Sequence, residues 1–369
     1  MKKLIWEGKA KFYVPKESLR RKSLVFYNPE MKFTRDLTIS FLQVLNKKEK
    51  IVCDPLAGSG VRGIRILKEV SGIKKVVFND INPNAYKLIK ENLKLNKIKK
   101  EFYEVYNKDA NLLFLENKRK FDYIDIDPFG SPINYLDSVA KSLKPRSFFG
   151  CTATDTACLA GSFPKVCLRK YGIKTIKTDF FKEIGLRNLI TIIIREFAKY
   201  SLSFEPVFSH SNHYFRVLGF VEYGKSKVDK NLEKIKIVSY CLNCLYRSLE
   251  IKENCENCGK KLVYLGPIWV GKIFNKDFCK KMLKENDKRG FDTKEIEMII
   301  KEDEEPFYYD LHKICKKLKT APPKIENLIK RLKENGFKAS RTYLFPTGIR
   351  TNTNFRELIK LIKSKNYTF

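Results

Sequence analysis

The sequence predicts an α/β protein, with a doubly wound sheet in the first part of the chain and a smaller α+β part after it. Short apolar strands alternate with helical stretches from about residue 51 to residue 223, and crossovers of this length are typical of a parallel sheet. A different pattern follows, which opens with a four-cysteine module. The predicted strands are Ile51–Cys53, Val76–Phe78, Tyr123–Ile126, Phe148–Thr152 and Phe215–Glu222.

Local signals place individual helices and the boundary between the two parts. Asn82 can cap a helix that begins at Pro83 and runs to Leu95 with its apolar residues on one face. Residues 324–335 also show helical spacing, and the following Gly336 suits a left-handed cap. The charged run from 224 to 236 predicts a linker. We therefore expect two domains, residues 1–224 and 225–369.

Composition indicates a folded protein with a polyanionic partner. The 369 residues are 43% hydrophobic and 31% charged, and 74 Lys+Arg against 42 Asp+Glu give a net charge of +32. Such an excess favours nucleic acid as the partner. An anionic membrane surface is the alternative, but no apolar run approaches the length of a spanning helix. Residues 313–338 hold nine basic and two acidic residues, which is typical of a solvated face and also suits phosphate binding. We expect these residues, together with Arg341 and Arg350, to face a nucleic-acid backbone.

A glycine-rich turn follows the first predicted core strand. Residues 54–63 read Asp-Pro-Leu-Ala-Gly-Ser-Gly-Val-Arg-Gly, so Gly58 and Gly60 allow the backbone to approach a ligand at the start of a helix. Asp80 ends the second strand, where Rossmann-like sites place the acid that binds two ribose hydroxyls. Nicotinamide dinucleotides use a related geometry, but their three-glycine pattern is missing from this turn.

Two further strand ends carry acids. Asp109-Ala110 follows the third strand region at a position suited to an adenine amine, and Asp127 follows the fourth. Polar groups at four successive strand ends suit S-adenosylmethionine, because its ribose, adenine and sulfonium all need contacts. The alternative is that Asp80 and Asp109 only cap helices.

The acid-proline-aromatic turn at Asp127-Pro128-Phe129 carries the predicted chemistry. Asp127 and the Pro128 carbonyl can accept hydrogen bonds from an exocyclic amine, while Phe129 offers a stacking face for a base. An ordinary Asp-Pro turn is the alternative.

Four cysteines predict a metal site. Cys241, Cys244, Cys255 and Cys258 form two Cys-x-x-Cys pairs separated by ten residues, which is the spacing of a structural zinc knuckle or ribbon. Two coincidental pairs of buried cysteines or a rubredoxin-type iron centre are the alternatives. Ten cysteines without a secretory signal also favour the reducing cytoplasm.

Taken together, the chain closely resembles the tRNA (guanine(26)-N2)-dimethyltransferase family over nearly its full length. The resemblance implies a Rossmann-like class I methyltransferase domain, a tRNA-binding carboxy-terminal domain, and transfer of one or two methyl groups from S-adenosylmethionine to guanosine N2. The motifs that carry it are Phe26-Tyr27-Asn28-Pro29, Phe33-Thr34-Arg35-Asp36, residues 54–65, 127–132 and 182–187, the four cysteines, 266–269, Ser340-Arg341-Thr342 and 346–351.

The resemblance also implies cofactor contacts from Arg35, a loop arginine, Asp80 and Asp109-Ala110. Arg62 is preferred over Arg65 as the loop arginine because it is nearer the start of the helix. Two other functions stay open: an adenine-N6 nucleic-acid methyltransferase, although those commonly carry a second proline where Phe129 stands, and a non-catalytic zinc RNA-binding protein. The sequence indicates no obligate protein partner and leaves the oligomeric state and the methyl count open.

Overall fold

The computed structural model describes residues 2–16 and 25–364. In chain order the first part contains the following elements: β1 (Lys2–Glu7), β2 (Ala10–Pro15), α1 (Lys32–Val44), β3 (Lys50–Asp54), α2 (Val61–Glu69), β4 (Ile73–Asn79), α3 (Pro83–Leu95), β5 (Tyr103–Tyr106), α4 (Ala110–Glu116), β6 (Phe121–Ile126), α5 (Ile133–Ser142), β7 (Leu143–Ala153), α6 (Thr156–Leu159), α7 (Pro164–Tyr171), α8 (Phe181–Ala198), β8 (Leu202–Ser211) and β9 (Phe215–Tyr223).

The second part continues with α9 (Lys225–Leu232), β10 (Ile235–Tyr240), β11 (Arg247–Ser248), β12 (Val263–Trp269), α10 (Lys276–Arg289), α11 (Lys294–Lys301), β13 (Tyr309–Asp310), α12 (Leu311–Leu318), α13 (Ile325–Glu334), β14 (Ala339–Arg341), β15 (Gly348–Thr351) and α14 (Phe355–Lys363). Among the described residues, no helix is both long and apolar enough to cross a lipid bilayer.

A seven-stranded sheet with the order β5-β4-β3-β6-β7-β9-β8 forms the centre of the molecule. The first five of these strands are parallel, and β9 runs antiparallel to both β7 and β8. The predicted α/β class is confirmed, and each of the five predicted strands lies within an observed one. Residues 202–211, which form the edge strand β8, were not predicted as a strand.

The helix predicted from Pro83 to Leu95 has the predicted bounds. Its cap is Asn82, whose side chain accepts a hydrogen bond from the Asn84 amide. The helix predicted over residues 324–335 is also confirmed as α13, and Gly336 after it has a left-handed φ of 81°. Caps are local hydrogen bonds, so the sequence is sufficient to place them.

The predicted linker is wrong, because most of it forms the helix α9. Val228 is its buried residue, and the side chain of Asn231 accepts a hydrogen bond of 2.9 Å from the Phe204 amide in β8. The charged residues that indicated a linker belong to the exposed side of this short helix. The division at residue 224 stays a prediction, although buried apolar residues of both parts form one continuous core.

A buried ion cluster connects the second part to α8. Glu183 accepts hydrogen bonds from the Phe307 and Tyr308 amides and pairs with Arg187 and Arg350. Burial opposes ionisation of Glu183, but the charges of Arg350 and Arg187 outweigh it and lower its pKa to about 2. Arg350 also pairs with Glu302. This cluster joins α8 to β15 of the small sheet β13-β15-β14.

Candidate active site

A cavity of about 540 Å³ opens at the carboxyl edge of the parallel strands. In open α/β sheets this edge is where ligands bind. Four segments line the cavity, within residues 25–35, 54–62, 80–85 and 127–129, and Tyr135, Thr154, His213 and Tyr214 complete the wall. The cavity therefore joins the glycine turn and the acid-proline-aromatic turn in one space.

The glycine turn is held by Asp80. Gly58 and Gly60 have left-handed φ values of 53° and 77°, a conformation that glycine adopts without strain. The carboxylate of Asp80 accepts hydrogen bonds from the Gly58 amide at 2.8 Å and from the Asn82 amide at 2.9 Å. Burial raises the pKa of Asp80, and these two amides partly offset that effect. Asp80, which the sequence predicts to bind a ribose, thus also holds the glycine turn in place.

Asp54 is a second buried acid on the cavity wall. It ends β3 and accepts a hydrogen bond of 3.2 Å from the Gly63 amide. Burial raises its pKa to about 6, against the opposing charge of Arg62. A carboxylate that burial makes costly to ionise gains stability when a cationic group of a ligand approaches it.

The acid-proline-aromatic turn presents an exposed ring beside the cavity. Phe129 is 77% exposed, and its ring meets that of Phe26 edge to face, with centroids 4.7 Å apart. Gly130 anchors the turn, because its amide donates to the Thr154 hydroxyl at 2.6 Å and its carbonyl accepts from the Thr154 amide at 2.9 Å. Two aromatic rings at the mouth of a cavity lined by several acids are suited to a planar base.

Arg62 links the acid-proline-aromatic turn to a buried charge network. One of its guanidinium nitrogens donates to Asp125 and the other donates to Asp127. Asp125 lies inside β6 and also pairs with the fully buried Arg216 of β9, at 2.6 and 3.0 Å. Arg216 in turn donates to the hydroxyl of Thr38 at 2.8 Å. Two carboxylates and two guanidinium groups are therefore balanced beneath the cavity.

Arg35 and Arg65 share a different partner. Arg35 lines the cavity and binds Glu7 through two hydrogen bonds of 2.6 Å, while Arg65 binds Glu7 at 2.9 Å and Glu69 at 2.8 Å. Burial opposes ionisation of Glu7, but Arg35 and Arg65 outweigh it and lower its pKa. Arg65 is fully buried away from the cavity lining, so the geometry favours Arg62 as the loop arginine within reach of a ligand.

The cavity brings together seven of the ten cofactor and catalytic residues predicted from the sequence: Arg35, Gly58, Arg62, Asp80, Asp127, Pro128 and Phe129. Gly60, Asp109 and Ala110 are not among the described residues that line it. Asp109 caps α4, where its side chain accepts hydrogen bonds from the amides of Asn111 and Leu112.

Sequence reasoning missed four residues of this site. Asp54 was visible as an acid at a strand end, and Asp125 was visible as a carboxylate within an apolar strand. Phe26 lies within a motif but carried no signal of its own. Arg216 also carried no local sequence signal, because its partner Asp125 is 91 positions away.

The four predicted metal-binding cysteines converge in the second part. Their sulfur atoms all lie within 4.8 Å of one another. Each Cys-x-x-Cys pair is followed by a residue with positive φ, Leu245 at 71° and Gly259 at 71°. In both turns the amide of that residue donates to the carbonyl of the first cysteine, at 2.9 and 2.8 Å. The two halves of the module thus have the same turn geometry.

The strand order and the cavity with an acid at the ends of β3, β4 and β6 define a Rossmann-like methyltransferase of the S-adenosylmethionine-dependent class. The N2,N2-dimethylguanosine tRNA methyltransferase family matches residues 8–363, and the chain belongs to that family.

Individual relatives are similar over their full lengths. The tRNA (guanine(26)-N(2))-dimethyltransferase of Methanosphaera stadtmanae is 38% identical over 376 residues, which cover 97% of this chain and 96% of the relative. The tRNA (guanine(26)-N(2)/guanine(27)-N(2))-dimethyltransferase of Aquifex aeolicus is 38% identical over 97% of this chain and 95% of its own. The structure of Trm1 from Pyrococcus horikoshii with S-adenosyl-L-methionine has a TM-score of 0.89 and 34% identity, covering 98% of this chain and 99% of that one.

Proposed function

We propose that this chain transfers methyl groups from S-adenosylmethionine to the exocyclic N2 of guanosine 26 in tRNA. The observation that carries the proposal is the cavity that places Asp127 and the Phe26–Phe129 pair beside the glycine turn and Asp80. Family membership supports guanine over adenine as the base and supports catalysis over RNA binding alone.

Asp80, Arg35 and Arg62 are the proposed cofactor contacts in this cavity. The carboxylate of Asp80 retains lone pairs for two ribose hydroxyls beside its two amide bonds. The neighbouring Gly58 brings backbone close to the ligand. Asp54 is suited to a positive group, and S-adenosylmethionine carries such groups at its amine and its sulfonium. Contacts from Gly60 and from Asp109-Ala110 stay predictions.

Asp127 and the Pro128 carbonyl are proposed to position the acceptor amine. The N2 lone pair of guanine is delocalised into the ring, so transfer requires the amine to be held in line with the methyl group. Arg62 holds one oxygen of Asp127, which leaves the other oxygen for an N–H of the amine. A guanosine in a tRNA helix must swing out of its stack, and Phe129 and Phe26 offer the rings on which it can stack.

Each methyl transfer to N2 releases one proton. S-adenosylmethionine supplies an electrophilic methyl group on a sulfonium. As the N–C bond forms, the carbon–sulfur bond breaks and its electron pair stays on sulfur. Asp127 stabilises the positive charge that develops on N2, and the amine proton then passes to Asp127 or to water. A second round leaves dimethylated N2.

We propose that the four cysteines bind one structural zinc ion. Tetrahedral Zn–S bonds of about 2.3 Å separate the sulfurs by roughly 3.8 Å, which fits four sulfurs within 4.8 Å of one another. Four thiolates fill the coordination sphere, so the metal would organise the second part and take no part in chemistry.

We also propose that the basic residues between 313 and 338, together with Arg341, contact the tRNA backbone. Arg350 was predicted to belong to this surface, and that prediction is wrong, because Arg350 is buried between Glu183 and Glu302. The enzyme is expected to act in the cytoplasm, where its tRNA substrate is found.

Incubation of unmodified tRNA with labelled S-adenosylmethionine, followed by nucleoside mass analysis and site mapping, tests the function. We expect methyl label on N2 of guanosine 26 with the wild type and none with Asp127→Ala, although that variant still binds the cofactor in calorimetry. Label on adenine N6, or substantial turnover by Asp127→Ala, would contradict the proposal. A tRNA with adenosine at position 26 is the matched substrate control.

A further inference from the structure

The hairpin β1–β2 carries an exposed aromatic face. Trp6 is 70% exposed, Leu4 is 50% exposed and Tyr13 is 37% exposed. Leu4 lies opposite Tyr13 and Trp6 lies opposite Lys11 in the strand register, so these four residues share one face of the hairpin. A large exposed aromatic patch is uncommon on a soluble protein and usually marks an interaction site.

The opposite face of the hairpin packs against the core. Phe12 and Val14 are buried in the core, and Glu7 pairs with Arg35 and Arg65. Glu7 is adjacent in sequence to Trp6 and points to the other side, as strand alternation requires. The exposed face is therefore presented outward by a hairpin whose inner face is held by apolar contacts and buried charge.

Asn92 of α3 and Asn96, which caps the end of that helix, fix the position of the hairpin. The side chain of Asn92 accepts from the Tyr13 amide at 2.8 Å and donates to its carbonyl at 3.1 Å, and Asn96 makes the equivalent pair with Lys11 at 3.1 and 2.7 Å. Asn92 also donates to the Ser59 carbonyl in the glycine turn at 2.9 Å. Asn92 thus connects the hairpin to the wall of the cavity.

The charge of the hairpin is complementary to a polyanion. Residues 2–16 contain five lysines and one acid, and that acid is the buried Glu7. The ammonium of Lys11 lies 5.9 Å from the centre of the Trp6 ring. Aromatic rings next to lysines are the combination that binds unpaired nucleic acid, through base stacking and phosphate contacts.

We infer that the outer face of the hairpin, formed by Leu4, Trp6, Lys11 and Tyr13, is a second tRNA-binding surface on which an unpaired base stacks on Trp6. The inference rests on the proposed function, because the partner of this surface is taken to be the tRNA that the enzyme methylates. It adds a contact on the methyltransferase part, beside the cavity, to the basic surface of the second part. Extraction of a guanosine from its helix leaves neighbouring bases unpaired, and such bases can stack on an exposed ring.

Variants of Trp6 test this surface in the full-length enzyme. We expect Trp6→Ala to weaken tRNA binding about five- to tenfold in fluorescence anisotropy, because stacking on one aromatic side chain contributes on the order of this factor. Trp6→Phe should recover most of the affinity. Tyr223→Ala is the matched control, since Tyr223 is 54% exposed at the end of β9, outside the hairpin, and its removal should leave affinity unchanged. The affinity for S-adenosylmethionine should stay within twofold in all three variants.

The fluorescence of Trp6 gives an independent measurement. The chain has two tryptophans and the other, Trp269, is buried, so a base that stacks on Trp6 should quench the exposed fraction of the emission. The quenching should be absent in Trp6→Phe. In the same series, Lys11→Ala should reduce the slope of log affinity against log salt by about one unit if it contacts a phosphate.

Two results would overturn the inference. One is equal tRNA affinity for wild type, Trp6→Ala and Tyr223→Ala. The other is a dimer that dissociates in Trp6→Ala by light scattering, because the patch would then bind a second copy of this chain. Both leave the methylation of guanosine 26 by the wild type intact, whereas failure of the proposed function would show as a wild type that methylates no guanosine N2.

Discussion

Arg62 is predicted to position the carboxylate of Asp127, the proposed catalytic acid, and Arg62→Ala tests this role. Its guanidinium joins Asp125 and Asp127, and no other ion pair of Asp127 is found in the described part of the chain. Asp125 keeps Arg216 as a partner when Arg62 is removed, so Asp127 is the carboxylate that loses its ion-pair partner. The variant therefore removes the contact that orients Asp127 and leaves the carboxylate itself in place.

The magnitude follows from the geometry of the pair. A hydrogen bond to a charged group contributes about 1.5–3 kcal/mol, and each 1.36 kcal/mol of barrier changes a rate tenfold. The side chain of Asp127 is 23% exposed, so solvent replaces part of the lost contact and the lower half of this range applies. We expect the methyl-transfer rate of Arg62→Ala to fall about 10- to 50-fold.

Single-turnover kinetics with saturating tRNA and cofactor measures this rate, and calorimetry measures cofactor affinity. Arg62→Lys should be intermediate, because one ammonium cannot bridge two carboxylates. Added guanidinium should partly restore Arg62→Ala. A rate within twofold of wild type combined with a tenfold loss of cofactor affinity would refute the positioning role and leave Arg62 as a cofactor ligand alone.

A double variant tests the buried charge network. Removal of Arg62 leaves two carboxylates against one buried guanidinium, which should lower the melting temperature. Arg62→Ala combined with Asp125→Asn has the net charge of wild type, but it leaves the buried Arg216 without its carboxylate partner. We expect this combination to melt below Arg62→Ala, whose Asp125–Arg216 pair is intact.

Three further predictions concern other charged groups. Asp54→Asn should raise the melting temperature at pH 7.5, and the melting temperatures of variant and wild type should become equal near pH 4. The reason is that the pKa of this carboxyl rises from 3.8 to about 6 on folding, so its ionisation destabilises the wild type as pH rises through that window. A melting-temperature difference that is independent of pH would contradict this prediction. Glu183→Gln should lower the free energy of unfolding by about 3–5 kcal/mol in urea titrations at pH 7. This difference should shrink as pH falls from about 4.5 toward 2, because the wild type also loses the charge of Glu183 in that range. Equal stability of variant and wild type at pH 7 would show that Glu183 does not form the buried ion cluster. Cys255→Ser with Cys258→Ser should remove one zinc per chain in elemental analysis and spare cofactor binding, and metal content that stays near one would place the ligands elsewhere.

The predicted strands and caps were confirmed because their signals are local. Apolar runs bounded by turn residues determine where β3, β4 and β6 lie, and the Asn82-Pro83 pair determines the start of α3. The glycine turn and Asp80 were also recoverable from spacing, since the carboxyl ends of parallel strands meet at one edge of the sheet. The seven residues that meet in the cavity came from this rule together with the family resemblance.

The wrong predictions share a physical cause. The linker prediction counted the charges of residues 225–236, but one buried apolar residue and a contact to β8 are enough to hold a short helix. The prediction for Arg350 counted its charge as surface charge. Its partner Glu183 lies 167 positions away, and no local pattern reports a pair formed at that distance.

The sequence by itself determined the class of fold, the order of the strand-end motifs, the four-cysteine module and the family, because each depends on residue type and short spacing. Only the tertiary structure decided the partners of the charged groups: Arg62 between Asp125 and Asp127, Arg35 on Glu7, and Arg350 on Glu183. A charge removed from water must be compensated by whichever opposite charge the fold brings within hydrogen-bond distance, and that choice is made by packing across distant segments of the chain.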